Sequence, residues 1–372
     1  MKFSCEKSLL SSAISITSRA TASRSPIPSL EGLLIEAGKN VIITGYDLKK
    51  GIYTSFEADV ESAGSIVLSA RLFGDIVRSL SGDTVVIEAS ENNTVIIKCG
   101  RSEFTIVGTE ARDYPDLPLV EGSDYIEIKQ KTLKGMINDT IFAVSDNESR
   151  PIYTGSLFEI EGDNLTVVAV DGFRLALRKE KIEERDNDSK SFVVPGQSLS
   201  ELEKLCSDVD KMVKIIVGDK HISFIIGETV LISRRLEGEF LNYKKSIPSD
   251  LENRVKINRT ELMQAVDRVS LIIDDRTKNP LRVKMGSGNI MLSCMTALGK
   301  ADDICPCEGE GSDMEIGFNN RYIRDALRAA PAEKLQMNFK NAISPVVFTP
   351  LDGDEKDSFI YMVLPVRLKT GE

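Results

Sequence analysis

The chain repeats itself three times, and this limits its possible folds more than any single motif does. Each repeat opens with apolar residues at helical spacing: Ser8–Ile14, then Thr132–Ile137 running on to Ile141 and Phe142, then Glu261–Val266 running on to Val269. Leu10, Leu133 and Leu262 stand 123 and 129 residues apart. A pair of strands follows each helix, and the second strands read Val41–Asp47, Leu165–Asp171 and Ile290–Met295. Asp47 and Asp171 are 124 apart. A second helix recurs around Phe73 and Ile76, Leu199 and Leu202, and Ile323 and Leu327. Each repeat closes on a three-strand meander: Thr84–Ala89, Thr94–Cys99 and Glu103–Gly108; Met212–Val217, His221–Ile226 and Thr229–Ser233; Leu335–Phe339, Pro345–Thr349 and Ser358–Val363. Gly218-Asp219-Lys220 and Gly227-Glu228 are hairpin turns.

One repeat is therefore a third of the 372 residues, with two helices and roughly eight strands. Short hairpins predict largely antiparallel sheets, an α+β class, with the helices covering one sheet face. Boundaries fall near Val120–Ser123 and Pro248–Glu252, giving domains 1–121, 122–250 and 251–372. The acidic join Leu351–Asp357 reads as a solvated loop.

The chemistry is narrowed mostly by what is missing. His221 is the one histidine, in a strand-like run that suits a structural role, which removes most Ser-His-Asp, Cys-His and His-ligated metal sites. No Gly-x-x-x-x-Gly-Lys or Gly-x-Gly-x-x-Gly sequence is present. Cys5, Cys99, Cys206 and Cys294 lie in or beside apolar segments, as buried thiols do. Cys305 and Cys307 form a Cys-Pro-Cys that no second cluster completes into a zinc site. No metal and no cofactor is expected. No apolar run reaches a membrane span and the N-terminus lacks a long apolar signal region, so the expected compartment is the cytoplasm. The net charge of −10 argues against a protein that grips DNA by net attraction. Yet Arg321, Arg324 and Arg328 form a stripe on one predicted helix, Arg71 and Arg78 share a face of another, and Lys131 and Lys134 lie together on a third. The basic charge is thus concentrated, with excess acid elsewhere, as in Glu308–Asp313 and Asp352–Lys356.

Three successive units of this order and length resemble the bacterial DNA polymerase III beta subunit, a sliding-clamp family. The likeness is carried by Met1-Lys2-Phe3, Arg24 with Pro26-Ile27-Pro28, Gly100–Phe104, Tyr114-Pro115, Val170–Ala176, Glu237–Tyr243 and Tyr361–Leu368. It covers essentially the whole chain. It implies a head-to-tail homodimer, in which six clamp domains form a ring with sheets outside and helices lining a central hole. Double-stranded DNA would be encircled without sequence preference. The partners it implies are the replicative polymerase catalytic subunit, a clamp loader and repair polymerases. No intrinsic catalysis is implied.

The resemblance assigns Arg24, Asn147 and the basic helix faces to DNA. After Val194-Pro195 the chain has Gly196-Gln197, where some members carry basic residues. It assigns a partner-peptide pocket to Tyr153, Val170, Gly172, Phe173, Arg174, Leu175, Leu241, Ser246, Met362 and Leu364. It assigns the dimer interface to Phe104 and Ile106 on one side and Ile272 and Ile273 on the other, residues that on their own also read as ordinary core. Two other functions remain open at this point: a scaffold recruiting repair polymerases through the same pocket, or an α+β enzyme using Asp47 and Asp171, whose bland role is to stabilise turns.

Overall fold

In the computed structural model of the chain, the residues described are 1–120, 125–182, 184–185, 189–274, 279–310, 313–351 and 358–368. The boundary near Val120–Ser123, the acidic runs Glu308–Asp313 and Asp352–Lys356 and the join Leu351–Asp357 fall partly or wholly outside them.

The helices form where the apolar spacing places them. They are α1 (Lys7–Thr17), α2 (Ala70–Ser79), α3 (Gln130–Asn138), α4 (Gly196–Leu205), the single turn α5 (Tyr243–Ser246), α6 (Arg259–Ser270) and α7 (Asn320–Ala329). Side-chain caps start four of them. Ser69 accepts from Leu72 N, Asn242 from Lys245 N, Asn258 from Glu261 N and Asn319 from Arg321 N, satisfying amides that have no partner within the helix. The spacing that carried α3 on to Ile141 and Phe142 overshoots. Thr140 Oγ1 donates to Met136 O at 2.7 Å, and a 3-10 turn takes over at Ile141–Ala143. Thr17 Oγ1 turns back on Ala13 O in the same way, also at 2.7 Å, at the end of α1.

Every strand pairing found among the described residues is antiparallel. The chain packs into two compact units that cut across the repeats. The first holds the described residues of 1–131, 183–187 and 201–235. It contains a five-stranded sheet, in the order Asp59–Ser62, Lys2–Glu6, Thr84–Ala89, Thr94–Cys99, Ser102–Val107, and a nine-stranded sheet. In the larger sheet the second repeat's meander, 212–234, joins the first repeat's strands through Thr229–Arg234 against Lys50–Phe56. Phe3, Leu10, Ile14, Phe73 and Val77 fill the core that α1 and α2 cover.

The second unit holds the described residues of 132–182, 188–200 and 236–372. Its twelve-stranded sheet joins the second repeat's strands 155–195 to the third repeat through Arg174–Lys181 against Phe359–Val363. Val266, Leu327, Phe339, Phe348 and Tyr361 lie in the core beneath α6 and α7.

Candidate nucleic-acid interface and peptide pocket

The two repeated aspartates build the same turn twice. Asp47 Oδ1 accepts from Lys49 N at 2.9 Å and Lys50 N at 2.7 Å, and Lys50 Nζ donates to Oδ2 at 2.7 Å. Asp171 Oδ1 accepts from Phe173 N at 2.8 Å and Arg174 N at 3.0 Å, and Arg174 Nε donates to Oδ2 at 2.9 Å. The residue between sits at positive φ in both turns, Leu48 at 69° and Gly172 at 91°. Gly172 meets that demand without strain, whereas Leu48 needs the surrounding bonds to hold it there. Both carboxylates are thus fully engaged as turn anchors, which removes the reading of Asp47 and Asp171 as free catalytic groups.

Strand register places the pocket residues. Val170 pairs with Leu175, Leu175 with Met362, and Met362 with Val347. The four side chains therefore form one row across four strands. A parallel row runs Val193, Leu157, Val168, Leu177, Ile360. Apart from Ile360, which is partly buried against them, these residues are buried in one cluster with Tyr243; Tyr153, Phe240 and Ile247 also pack on it. Tyr153 meets Phe240 edge-on at 5.5 Å between ring centroids. Tyr243 donates to Glu159, which pins α5 over the sheet; burial pushes the Tyr243 phenol well up, and the Glu159 hydrogen bond adds to the rise. Ser246 Oγ closes α5 by donating to Asn242 O at 3.1 Å.

Val170, Leu175 and Met362 are buried floor, while Phe173 is 58% exposed and Leu241 40%. Tyr153, Ser246 and Leu364 are half-buried. Leu364 N donates to Phe173 O at 2.9 Å. Arg174 is no rim cation. Its side chain is 6% exposed, Nη1 donates to Asp325 Oδ2 at 2.7 Å, and the guanidinium lies 4.6 Å from the Tyr322 ring centroid and 5.4 Å from that of Phe142. Tyr322 also stacks on Phe173 at 6.1 Å. Sequence reasoning missed Leu157, Leu177, Val347, Ile360, Tyr322 and Asp325. Alternation from Leu175 and Met362 points to Leu177 and Ile360. No local signal marks the others.

The basic residues are placed as follows. On α7, Ile323, Ala326 and Leu327 are buried, Arg321 and Arg328 exposed and Arg324 half-buried. Arg324 Nε is buried with no hydrogen-bond partner among the described residues, leaving a spare donor. Arg71 and Arg78 are exposed on α2, and Arg78 pairs with Asp75. Lys131 is exposed and Lys134 half-buried on α3. Arg24 is exposed in a bend. Asn147 is exposed, and its Oδ1 accepts from Ser149 N at 3.0 Å, so the amide shapes its own loop.

Phe104 and Ile106 lie on Ser102–Val107, the outer strand of the five-stranded sheet; Ile106 packs on the core while Val107 is 79% exposed. Ile272 and Ile273 follow α6 and pack on the third repeat's core. In the second unit, Gly299–Glu310 pairs with Ser287–Thr296 along its length but with Asn253–Asn258 only at Cys307 and Glu308. Residues 299–306 thus present a second open edge, where Ile304 is 60% exposed. All six cysteines are free, five of them buried. Burial pushes the Cys305 thiol up to about 11 and raises Cys307. No metal-ligand cluster occurs among the described residues. Burial, with Arg234 and Lys220 nearby, holds His221 below its usual range. No helix among the described residues is long and apolar enough to cross a membrane.

Comparison with known proteins covers the chain end to end. Residues 1–118, 127–242 and 244–367 match the N-terminal, central and C-terminal domains of the DNA polymerase III beta subunit. The beta sliding clamp of Bacillus subtilis is 34% identical over 380 residues, 99% of this chain and 100% of that one. That of Staphylococcus epidermidis is 32% identical over 378 residues, 99% of each. The crystal structure of the DNA polymerase sliding clamp from Bacillus subtilis superimposes with a TM-score of 0.95 at 32% identity, covering 99% of this chain and all of that one. The beta subunit from the DNA polymerase of Streptococcus pyogenes gives 0.93 at 28% identity, with the same coverage.

Proposed function

The chain belongs to the DNA polymerase III beta subunit family, the sliding clamps that confer processivity on that polymerase, and on this premise we propose that two copies close head to tail around duplex DNA. It is a non-catalytic subunit of the replicative polymerase. The observation that carries ring closure is the pair of open strand edges, Ser102–Val107 in the first repeat and 299–306 in the third. An unpaired edge with exposed apolar side chains is an aggregation template unless it is covered. Two different edges on one chain make a head-to-tail contact, and two such contacts close a dimer. Val107 and Ile304 are the exposed apolar side chains such a seam would bury. Phe104 and Ile106 would line it from the first repeat, with Ile272 and Ile273 backing it from the third. The three repeats would be the domains, divided near residues 121 and 250.

The basic faces would turn to the DNA: Arg321, Arg324 and Arg328 on α7, Arg71 and Arg78 on α2, Lys131 and Lys134 on α3, with Arg24 and Asn147 from loops. Contacts to phosphate carry no sequence information, and loose contacts permit sliding. Retention would then be topological, so a net charge of −10 is no obstacle. The row Val170, Leu175, Met362, Val347 would form the floor under a short apolar peptide, with Phe173 and Leu241 as its exposed rim. The polymerase catalytic subunit, the loader and repair polymerases would compete for it. Light scattering tests the dimer: the proposal requires about twice the 41.0 kDa chain mass at micromolar concentration, and a strict monomer would sink it.

A further inference from the structure

Helix α7 carries the basic stripe and also grips the pocket turn. Asp325 accepts from Arg174, Tyr322 stacks on Phe173, and Tyr361 of the pocket strand donates to Ala329 O at 3.2 Å. The Asp325 carboxylate has a second cation. Arg321 Nε lies 3.8 Å from the same Oδ2 that Arg174 Nη1 reaches at 2.7 Å. One half-buried carboxylate oxygen is therefore shared between a pocket residue and a residue of the stripe.

The two claims on that oxygen are unequal. Arg174 is desolvated and held between two rings, so its attraction to Asp325 is weakly screened. The Arg321 side chain is 63% exposed and free to leave for another anion. We infer that Asp325 is a positioning residue that couples the two surfaces. A phosphate that draws Arg321 away leaves the Asp325 charge to Arg174, stiffens turn 171–174 and tightens peptide binding. The inference rests on the pocket and stripe as read above. The coupling is reciprocal, so a bound peptide also frees Arg321 for phosphate. An exposed pair of this kind shifts a binding constant by about two- to fivefold.

The test uses the full-length dimer and a short fluorescent peptide with apolar and aromatic side chains. Arg321→Ala removes the competitor and should tighten peptide binding by about two- to fivefold. Lys284→Ala removes an exposed cation of the same unit, paired with Asp313, and should leave the affinity unchanged. Asp325→Asn should weaken binding and abolish the Arg321→Ala effect in the double variant. Wild-type protein loaded on nicked circular DNA should bind peptide more tightly than free protein, and Arg321→Ala should show no such gain. An unchanged affinity in Arg321→Ala, or a gain that persists beside Asp325→Asn, overturns the coupling. Should Asp325→Asn not fold, the loaded-against-free comparison in wild type and Arg321→Ala decides alone. If Met362→Ala also leaves affinity unchanged, the failure lies in the pocket assignment and not in Asp325.

Discussion

Because the Asp turn is built twice, the chain contains its own control for what Arg174 is worth. Arg174→Met removes two charge-assisted hydrogen bonds, at 2.9 and 2.7 Å, and two ring contacts from a side chain that is 6% exposed. Asp171 keeps its two backbone donors, but Asp325 is left with only the 3.8 Å contact to Arg321. Asp325 is half-buried, 18% exposed, so stranding it costs no more than the low end of the roughly 3–5 kcal/mol of a fully buried carboxylate. The amides that Asp171 retains place the expected loss near the lower end, about 3 kcal/mol. Lys50→Met removes a single ion pair from the equivalent turn, where the side chains are 13% and 16% exposed. That loss should be about 1 kcal/mol. Hydrogen exchange read by mass spectrometry separates the two sites. Since 1.4 kcal/mol is tenfold, amides of 171–177 and α7 should exchange on the order of 100-fold faster in Arg174→Met. Amides of 47–53 in Lys50→Met should change about fivefold or less. Equal effects at the two turns, or no change in Arg174→Met, would refute the account of Arg174 as the bolt between turn and helix.

Three further outcomes follow from side-chain environments. Burial pushes the Asp139 carboxyl up to about 6, against the pull of Arg178 and helped by Glu180, so its contribution to stability is full below the ordinary value of 3.8 and is lost as pH rises through 6. That loss is about 3 kcal/mol, and Asp139→Asn should flatten the fall in urea midpoint between pH 4 and 7.5; an identical profile would contradict it. With Cys5 raised to about 12 and Cys305 to about 11, a disulfide reagent at pH 8 should modify half-buried Cys307 first, and rapid modification of all six thiols would be inconsistent with the fold. Met362→Ala empties a floor position, so it should lower stability by about 2–4 kcal/mol and weaken peptide binding together; a loss of binding at unchanged stability would show that Met362 is rim rather than floor.

The repeat made the elements legible in the sequence. Apolar spacing marks α1, α2, α6 and α7, and the meanders at 84–107 and 212–234 form as read. Asp47 and Asp171 showed their turns because an aspartate bonds backbone two and three residues on. Which strands would meet was not legible. The second repeat gives its meander, with Tyr125–Lys129, to the first repeat's sheet and its strands between 155 and 195 that flank Arg174–Lys181 to the third's, a choice made by edges that no local pattern encodes. The end of α3 was misjudged because Ile141 and Phe142 keep the apolar rhythm while Thr140 breaks the helix. Arg174 was expected as a pocket residue, but its partner Asp325 lies 151 positions away, and only the folded sheet brings them together.

Encirclement is the central claim, and loading on circular DNA tests it most directly. With a clamp loader and ATP, the protein should stay on a nicked circle through gel filtration in high salt and run off when the circle is cut once. High salt weakens phosphate contacts but leaves a closed ring in place. Equal retention on intact and cut DNA, or loss from both as salt rises, would mean that the chain holds DNA by surface contact and not by enclosing it.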